Sequence, residues 1–220
     1  MVKYFQNIVE FGSGYVFTAP LAEGADMIFQ IINLEEGTCS VGDNSHVAID
    51  PSYAGGITVP SVVTDPVVGE SFTVVRIGNN AFSGCGSLTS IGIPDGLTEV
   101  GNAAFTGCNG LQKPVYNASI FFFMPTNYEG EYRIPAGIKE IHEGAFQNCN
   151  GLAAVTISNS VASIGNYAFA GTSLKDVTIP NSVKSIGDYA FYECQEMASV
   201  TIPNSVKSIG NFAFGNCIGL

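Results

Sequence analysis

Basic residues are scarce in this sequence: eight Lys and Arg stand against nineteen Asp and Glu, a formal charge of -11. The imbalance lies early. Residues 1–73 hold nine acids and one base, Lys3, whereas residues 74–220 hold ten acids and seven bases. A chain charged this way repels phosphate, which argues against a nucleic-acid partner and against anionic membrane surfaces. Tryptophan is absent. So is any apolar run near the ~20 residues of a membrane span, and no membrane insertion is expected. The opening MVKYFQNIVEFGSGYVFTAP is broken by Gln6, Asn7 and Glu10 and does not read as a secretory signal. That leaves a cytoplasmic protein or a mature piece whose leader is missing.

The usual marks of chemistry are missing too. There is no C-x-x-C pair for zinc and no G-x-S-x-G nucleophile elbow. The GSG at Gly12–Gly14 is too short for a phosphate loop and reads as a turn. His46 and His142 are far apart. The later acids (Asp95, Glu99, Glu140, Asp176, Glu193, Glu196) share no column, unlike calcium-binding repeats, and suggest no glycosidase pair. No catalytic residue, metal or cofactor is expected.

What is present is a packed composition, 46% hydrophobic and 12% charged, and a period. The dipeptide Ala-Phe recurs with Phe at 82, 105, 146, 169, 191 and 214, at spacings of 23, 41, 23, 22 and 23. The long gap is one period plus an insertion at about 114–134. Overlaid, the copies read L-x-x-[IV]-x-I-P-[ND]-x-[LV]-x-x-[IV]-G-[ND]-x-A-F-x-[GN]-C. LTSIGIP (88–94), LKDVTIP (174–180) and MASVTIP (197–203) predict short strands stopped by Pro, which has no N–H for a further ladder bond. VKSIG (183–187) predicts a second extended piece with Val183 and Ile186 inward. Asn79, Asn102, Asn166, Asp188 and Asn211 occupy what reads as the N-cap of a short helix or 3-10 turn. The Phe that follows fills the interior.

A unit this short cannot bury its apolar face alone, so units must stack. The fold expected is an α/β-type repeat solenoid of about six repeats over 74–220, with parallel strands on one side and turns or short helices on the other. A small β-rich cap over 1–73 precedes it. Cys85, Cys108, Cys149, Cys194 and Cys217 share one slot, three residues after Phe. They form a structural column whose side chains point the same way, and buried free thiols are the first reading, ahead of a disulfide or a metal site. Cys39 belongs to the cap core.

The period, the L-x-x-[IV]-x-I-P strand and the IG-[ND]-x-AF-x-[GN]-C segment together resemble the BspA-like leucine-rich repeat family. The resemblance covers roughly 74–220. MIFQIINLEEGTCSVG (27–42) and GGITVPSVV (55–63) resemble that family's N-terminal portion, as a β-meander. PVYNASIFFFMPTNYEGEYRIPAGIKEI (114–141) resembles a family insert that keeps the strand rhythm at both ends and bulges between them. The resemblance implies a bacterial cell-surface or secreted protein that adheres to a protein or glycan.

Two columns are candidates for such a surface. One is the outward strand face, with Gly92, Val115, Thr156, Thr178 and Thr201. The alternative is that Thr is simply a good exposed strand residue. The other is the residue before Ala-Phe, namely Tyr167, Tyr189 and Phe212, with Tyr192 near. These aromatics form a recognition row or else shield one another. Phe121–Phe123 are expected to be mostly covered. The last copy stops at Leu220, where a strand would begin, which predicts either a longer natural chain or self-association through this end. A spacer or assembly stalk is therefore the second function class, and an unrecognised enzyme the third.

Overall fold

The computed structural model describes residues 14–220; the reading of the opening segment lies outside these, and that of Gly12–Gly14 largely so. The chain divides into two compact units, the first ending at Leu111 and the second spanning Gln112–Leu220.

The first unit holds β1 (Val16–Pro20), β2 (Asp26–Asn33), β3 (Thr38–Val41), β4 (Gly55–Thr58), β5 (Val62–Thr64), β6 (Ser71–Ile77), β7 (Leu88–Gly92) and β8 (Glu99–Val100). β1, β2 and β3 pair antiparallel. From there the pairing turns parallel: β3 on β6 with Val41 beside Ile77, β6 on β8 with Ile77 beside Val100, and β4 on β7 with Ile57 beside Ile91. The run from β3 to β4 is thus a coil stacked on the first Ala-Phe copy. It carries no Ala-Phe of its own, so the stack begins one coil before the Ala-Phe period does.

The second unit holds β9 (Val115–Tyr116), β10 (Ile120–Phe123), β11 (Gly130–Arg133), β12 (Glu140–Ile141), β13 (Leu152–Thr156), β14 (Ser163–Ile164), β15 (Asp176–Thr178), β16 (Ser185–Ile186), β17 (Ser199–Thr201) and β18 (Ser208–Ile209). One parallel file runs β10-β12-β14-β16-β18, with β9 antiparallel on β10. The opposite strands pair as β11-β13 and β15-β17. The insertion does not bulge between its ends as expected: β10 joins the file, and β11 pairs in parallel with β13. Together they make a coil with a short turn, 124–128, in place of Ala-Phe, where the Met124 N–H donates to Ala145 O at 2.6 Å and the Tyr128 N–H to Pro125 O at 3.0 Å.

The predicted short helices are absent among the described residues, and the hydrogen bonds show why. Along the Ala-Phe turn, alternate N–H groups point along the stack. Gly144, Phe146 and Asn148 donate to the carbonyls of Asn166, Ala168 and Ala170 of the next coil, at 2.9, 2.7 and 2.8 Å. The intervening Ala145, Gln147 and Cys149 close turns onto residues three back, at 3.2, 3.0 and 3.1 Å. A helix needs every interior N–H for itself; here half are claimed by the neighbouring coil.

The residues read as helix N-caps are corrected with the helices. The side chains of three of them, Asn79, Asn166 and Asp188, reach the next coil instead. Asn79 Oδ1 accepts the N–H of Asn102 at 2.9 Å, Asn166 Oδ1 that of Asp188 at 2.8 Å, and Asp188 Oδ1 that of Asn211 at 2.6 Å. Upstream, Asn44 Oδ1 accepts the N–H of Asn79 at 2.8 Å, so the ladder includes the coil that lacks Ala-Phe. Asx at this position satisfies a backbone donor in its neighbour, not in itself.

The core of each unit is a column of rings. Phe82 stacks on Phe105 at 5.8 Å in the first unit. In the second, Phe121, Phe146, Phe169, Phe191 and Phe214 follow one another at 4.7, 4.8, 5.1 and 5.2 Å, within 14° of parallel. Phe121 and Phe122 are covered and Phe123 is partly so.

All six cysteines are free and buried. The column runs beside the Phe carbonyls. Cys108 Sγ donates to Phe82 O at 3.0 Å, Cys194 Sγ to Phe169 O at 3.2 Å, and Cys217 Sγ to Phe191 O at 3.0 Å. The copy without Cys fills the slot with Thr172, 2% exposed, whose Oγ1 donates to Phe169 O at 2.8 Å and lies 3.3 Å from Cys194 Sγ. The slot therefore asks for a small side chain with a donor, which the sequence pattern shows only as Cys.

Burial pushes the thiols of Cys39, Cys108 and Cys149 up to about 12 and those of Cys85 and Cys194 to about 11. A thiol this hard to ionise is a poor nucleophile. Ellman's reagent at pH 8 should find almost no reactive thiol in the native protein and all six after denaturation; rapid native labelling would contradict the packing. Because the folded pKa values are raised, the thiols' stabilising contribution is whole below the unfolded value near 9. It is lost as pH rises from there towards 12. Urea midpoints should fall across that window.

Candidate binding surfaces

The sequence-derived candidates separate into two surfaces. Tyr167, Tyr189 and Phe212 do come together. Their rings stack at 4.9 Å and 0°, then 5.5 Å and 16°, and Tyr192 meets Tyr189 edge-on at 5.4 Å. All three stacked residues sit in the left-handed region, at φ 54, 55 and 50°. The same slot in other copies holds Asn80, Ala103 and Gly144, at φ 55, 55 and 64°. Left-handed backbone costs a bulky residue about 1–2 kcal/mol, which ring stacking of about 0.5–1.5 kcal/mol per pair offsets. Stacking also consumes the ring faces, which a sugar would need. Phe212, 66% exposed, keeps one face open.

The threonines lie on the other strand file. Thr178 stands beside Thr201 on β15 and β17, with Ser199 Oγ donating to Asp176 Oδ1 at 2.6 Å in the adjoining row. Thr156 pairs in a ladder with Arg133 and shares none with Thr178. No β13-β15 ladder forms, because the copy between them has one residue fewer between Phe and strand, AFAGTSL against AFQNCNGL. Val115, read as outward, is fully buried on β9, and β11 takes its place in the file.

Sequence reasoning missed a third surface. The quartet Ser-Ile-Gly-Asx of successive coils lines an open groove of about 530 Å³ across β12, β14, β16 and β18. Ile164 and Ile186 turn into the core, each 2% exposed. The glycines make the floor: a Cβ on Gly187 would lie 2.6 Å from both N and Oδ1 of Asn166, and one on Gly210 would lie 2.4 Å from the same atoms of Asp188. Ser163, Ser185 and Ser208 form one wall, and Asn166 and Asp188 the other. Glu140, His142 and Glu143 close one end. His142 stands in the slot that is Gly in the following coils; its ring meets Phe122 edge-on at 5.8 Å, and its Nδ1 is 3.5 Å from Glu140 Oε1. The signal for this groove is the Ser-Ile-Gly run of the last three copies (163–165, 185–187 and 208–210), where Ser and Gly flank Ile.

Parallel strand files, an Asx ladder and a stacked ring core define a coil-on-coil repeat protein of the leucine-rich type. The model of the BspA type leucine-rich repeat region matches residues 70–123 and 119–220, in 6 copies, and the chain belongs to that family. Proteins of the family are generally non-enzymatic and are generally surface-located or secreted. Among solved structures, a leucine-rich repeat protein from Bacteroides ovatus is 29% identical, with a TM-score of 0.52 over 88% of this chain and 44% of that one. The leucine-rich repeat protein of T. pallidum is 28% identical, with a TM-score of 0.52 over 88% of this chain and 77% of that one. The pneumococcal vaccine antigen PcpA, at 20% identity and TM-score 0.55, covers 88% of this chain and 51% of its own, and shares the fold. The chain thus spans less than half the length of the B. ovatus protein. No curated protein matches it. No helix among the described residues is long and apolar enough to cross a membrane.

Proposed function

We propose that the chain is a non-catalytic binding and adhesion module that offers the outer faces of its coils to a protein or glycan at a bacterial cell surface. The observation that carries this reading is the division of labour within each coil. Ile, Phe, Cys and Asx are spent on the core and on coil-to-coil bonds. The exposed Thr and the groove-lining Ser stand in rows outside that frame, free to vary without unseating it. Binding modules put recognition on such a rigid scaffold. The family supports the surface location, and the acidic charge of -11 argues against nucleic acid as the partner. A screen of the purified chain against immobilised host matrix proteins and glycans tests it. Saturable binding in the micromolar range is expected; none at all would sink the reading.

A further inference from the structure

We infer that the joint between the coil of β12 and β13 and the coil of β14 and β15 is a hinge within the second unit. It pivots on the β12-β14 ladder and opens between β13 and β15, so that the pairs β11-β13 and β15-β17 move as separate plates.

The following joint, between the coil of β14 and β15 and that of β16 and β17, shows what a closed joint holds. Beside β14, Gly187 N–H donates to Ile164 O at 2.8 Å. Along the turn, Tyr167, Phe169 and Gly171 donate to the carbonyls of Asp188, Ala190 and Tyr192, at 2.9, 2.7 and 2.8 Å. At the two ends of the β15-β17 ladder, Ala198 N–H donates to Lys175 O at 2.8 Å and Ile179 N–H to Thr201 O at 3.1 Å. Side chains add further links: Asn166 Oδ1 accepts the N–H of Asp188, and Cys194 Sγ donates to Phe169 O.

At the hinge the first side and the turn are bonded in the same way. β12 pairs with β14, Gly165 N–H donates to Ile141 O at 2.8 Å, and Gly144, Phe146 and Asn148 donate across. The other links are missing among the described residues. β13 and β15 share no ladder. Lys175 N–H and Ile157 N–H, the counterparts of Ala198 and Ile179, make no backbone bond, although Ile157 is only 6% exposed. A buried N–H without a partner is rare in a closed structure. Glu143 stands in the Asx slot, and none of its oxygens takes the Asn166 N–H. Thr172, in the Cys slot, donates to Phe169 O of its own coil, where Cys194 reaches the coil before. The cause lies in the short copy: Phe169 and Leu174 are five positions apart, but Phe146 and Leu152 six.

What still crosses the gap is apolar. Ile157, Val177 and Ile179 belong to one buried cluster. Apolar contact is non-directional and survives a small displacement that a hydrogen-bonded ladder does not. The bonds that remain lie together along β12-β14 and the turn, and so define the pivot. Each plate keeps its own ladder, and a repeat array lets one joint open without unseating the others.

Native-state hydrogen exchange on the whole chain, read amide by amide by NMR, tests the hinge. Protection should fall along the joint from Gly165 and Phe146 to Asn148, the last bonded amide before the gap. Asn148 should be at least about tenfold less protected than Gly171, its counterpart at the following joint, through local opening. At that following joint Gly187, Phe169 and Gly171 should show no such fall. Two variants repair the hinge separately. One Asn inserted between Thr172 and Ser173 restores the longer spacing, and Glu143→Asn restores the Asx link. The insertion should bring Asn148 up to the protection of Gly171 and protect Ile157 as well; Glu143→Asn should raise Asn148 in an unchanged fold. Equal protection of Asn148 and Gly171 in the unaltered chain overturns the inference. So does a folded insertion variant in which Asn148 exchanges as fast as before. If the insertion does not fold, Glu143→Asn decides on the same amide, and no gain there overturns it.

Discussion

Gly187→Ala is expected to destabilise the second unit by about 3 kcal/mol or more, at the upper end of overpacking substitutions. The added methyl would meet Asn166 N and Oδ1 and Gly165 C, each at 2.6 Å. None of these can yield cheaply. Asn166 Oδ1 is held by the N–H of Asp188 at 2.8 Å, and the Gly187 N–H is tied to Ile164 O at 2.8 Å. Relief requires the coils to part, which breaks the β14-β16 ladder and the Asx ladder together. The damage should stay near that seam, because a repeat array transmits strain through nearest neighbours. Gly96→Ala is the control: nothing lies within 4 Å of its Cβ, and stability should move by no more than about 0.5 kcal/mol. Urea unfolding followed by circular dichroism separates the two. Equal midpoints for both variants would mean that coil contact at Gly187 is looser than described.

The same seam shows how far the sequence could be read. The period exposed the strands, the inward isoleucines and the ring column, because each is a burial pattern and burial recurs with the coil. The Asx slot was recognised as conserving a side-chain acceptor within the repeat, yet assigned to the wrong donor. Asx before a short apolar turn reads the same whether its oxygen serves its own backbone or the next coil's. What decides is where the alternate N–H groups go, and that is a property of two stacked coils, not of one. The residue before Ala-Phe carries the same lesson. Asn80, Ala103, Gly144, Tyr167, Tyr189 and Phe212 share no chemistry; they share a positive φ. The row of aromatics is legible as a row, but its face-to-face stacking is not; that stacking covers both faces of Tyr189 and leaves one face of Phe212 open. The Thr surface was read as one column and is interrupted by a single missing residue. The groove went unnoticed for a physical reason: it is made by what glycine lacks, and the pattern of a repeat displays side chains.

Phe169→Ala should be among the most damaging truncations in the second unit, at about 3–5 kcal/mol, a large share of the ~5–15 kcal/mol that holds a typical domain. The ring is fully buried between Phe146 at 4.8 Å and Phe191 at 5.1 Å, so its loss opens a void in the middle of the column and strips one face from each neighbour. The site cannot collapse to compensate, because the coil backbones on either side are fixed by the bonds from Phe146 N to Ala168 O and from Phe169 N to Ala190 O, both 2.7 Å. The polar partners of its carbonyl, Thr172 Oγ1 at 2.8 Å and Cys194 Sγ at 3.2 Å, are held in place by that same geometry and loosen with it. Phe214→Ala removes an identical side chain from the same repeat slot but should cost markedly less. Phe214 is only partly buried, and Phe191 at 5.2 Å is its one ring neighbour among the described residues. The comparison holds chemistry constant and varies only stacking and burial. Equal losses in chemical denaturation would show that the column does not act as a stack and that each coil carries its own ring independently. A loss at Phe169 two or more times that at Phe214 establishes the column as the shared core.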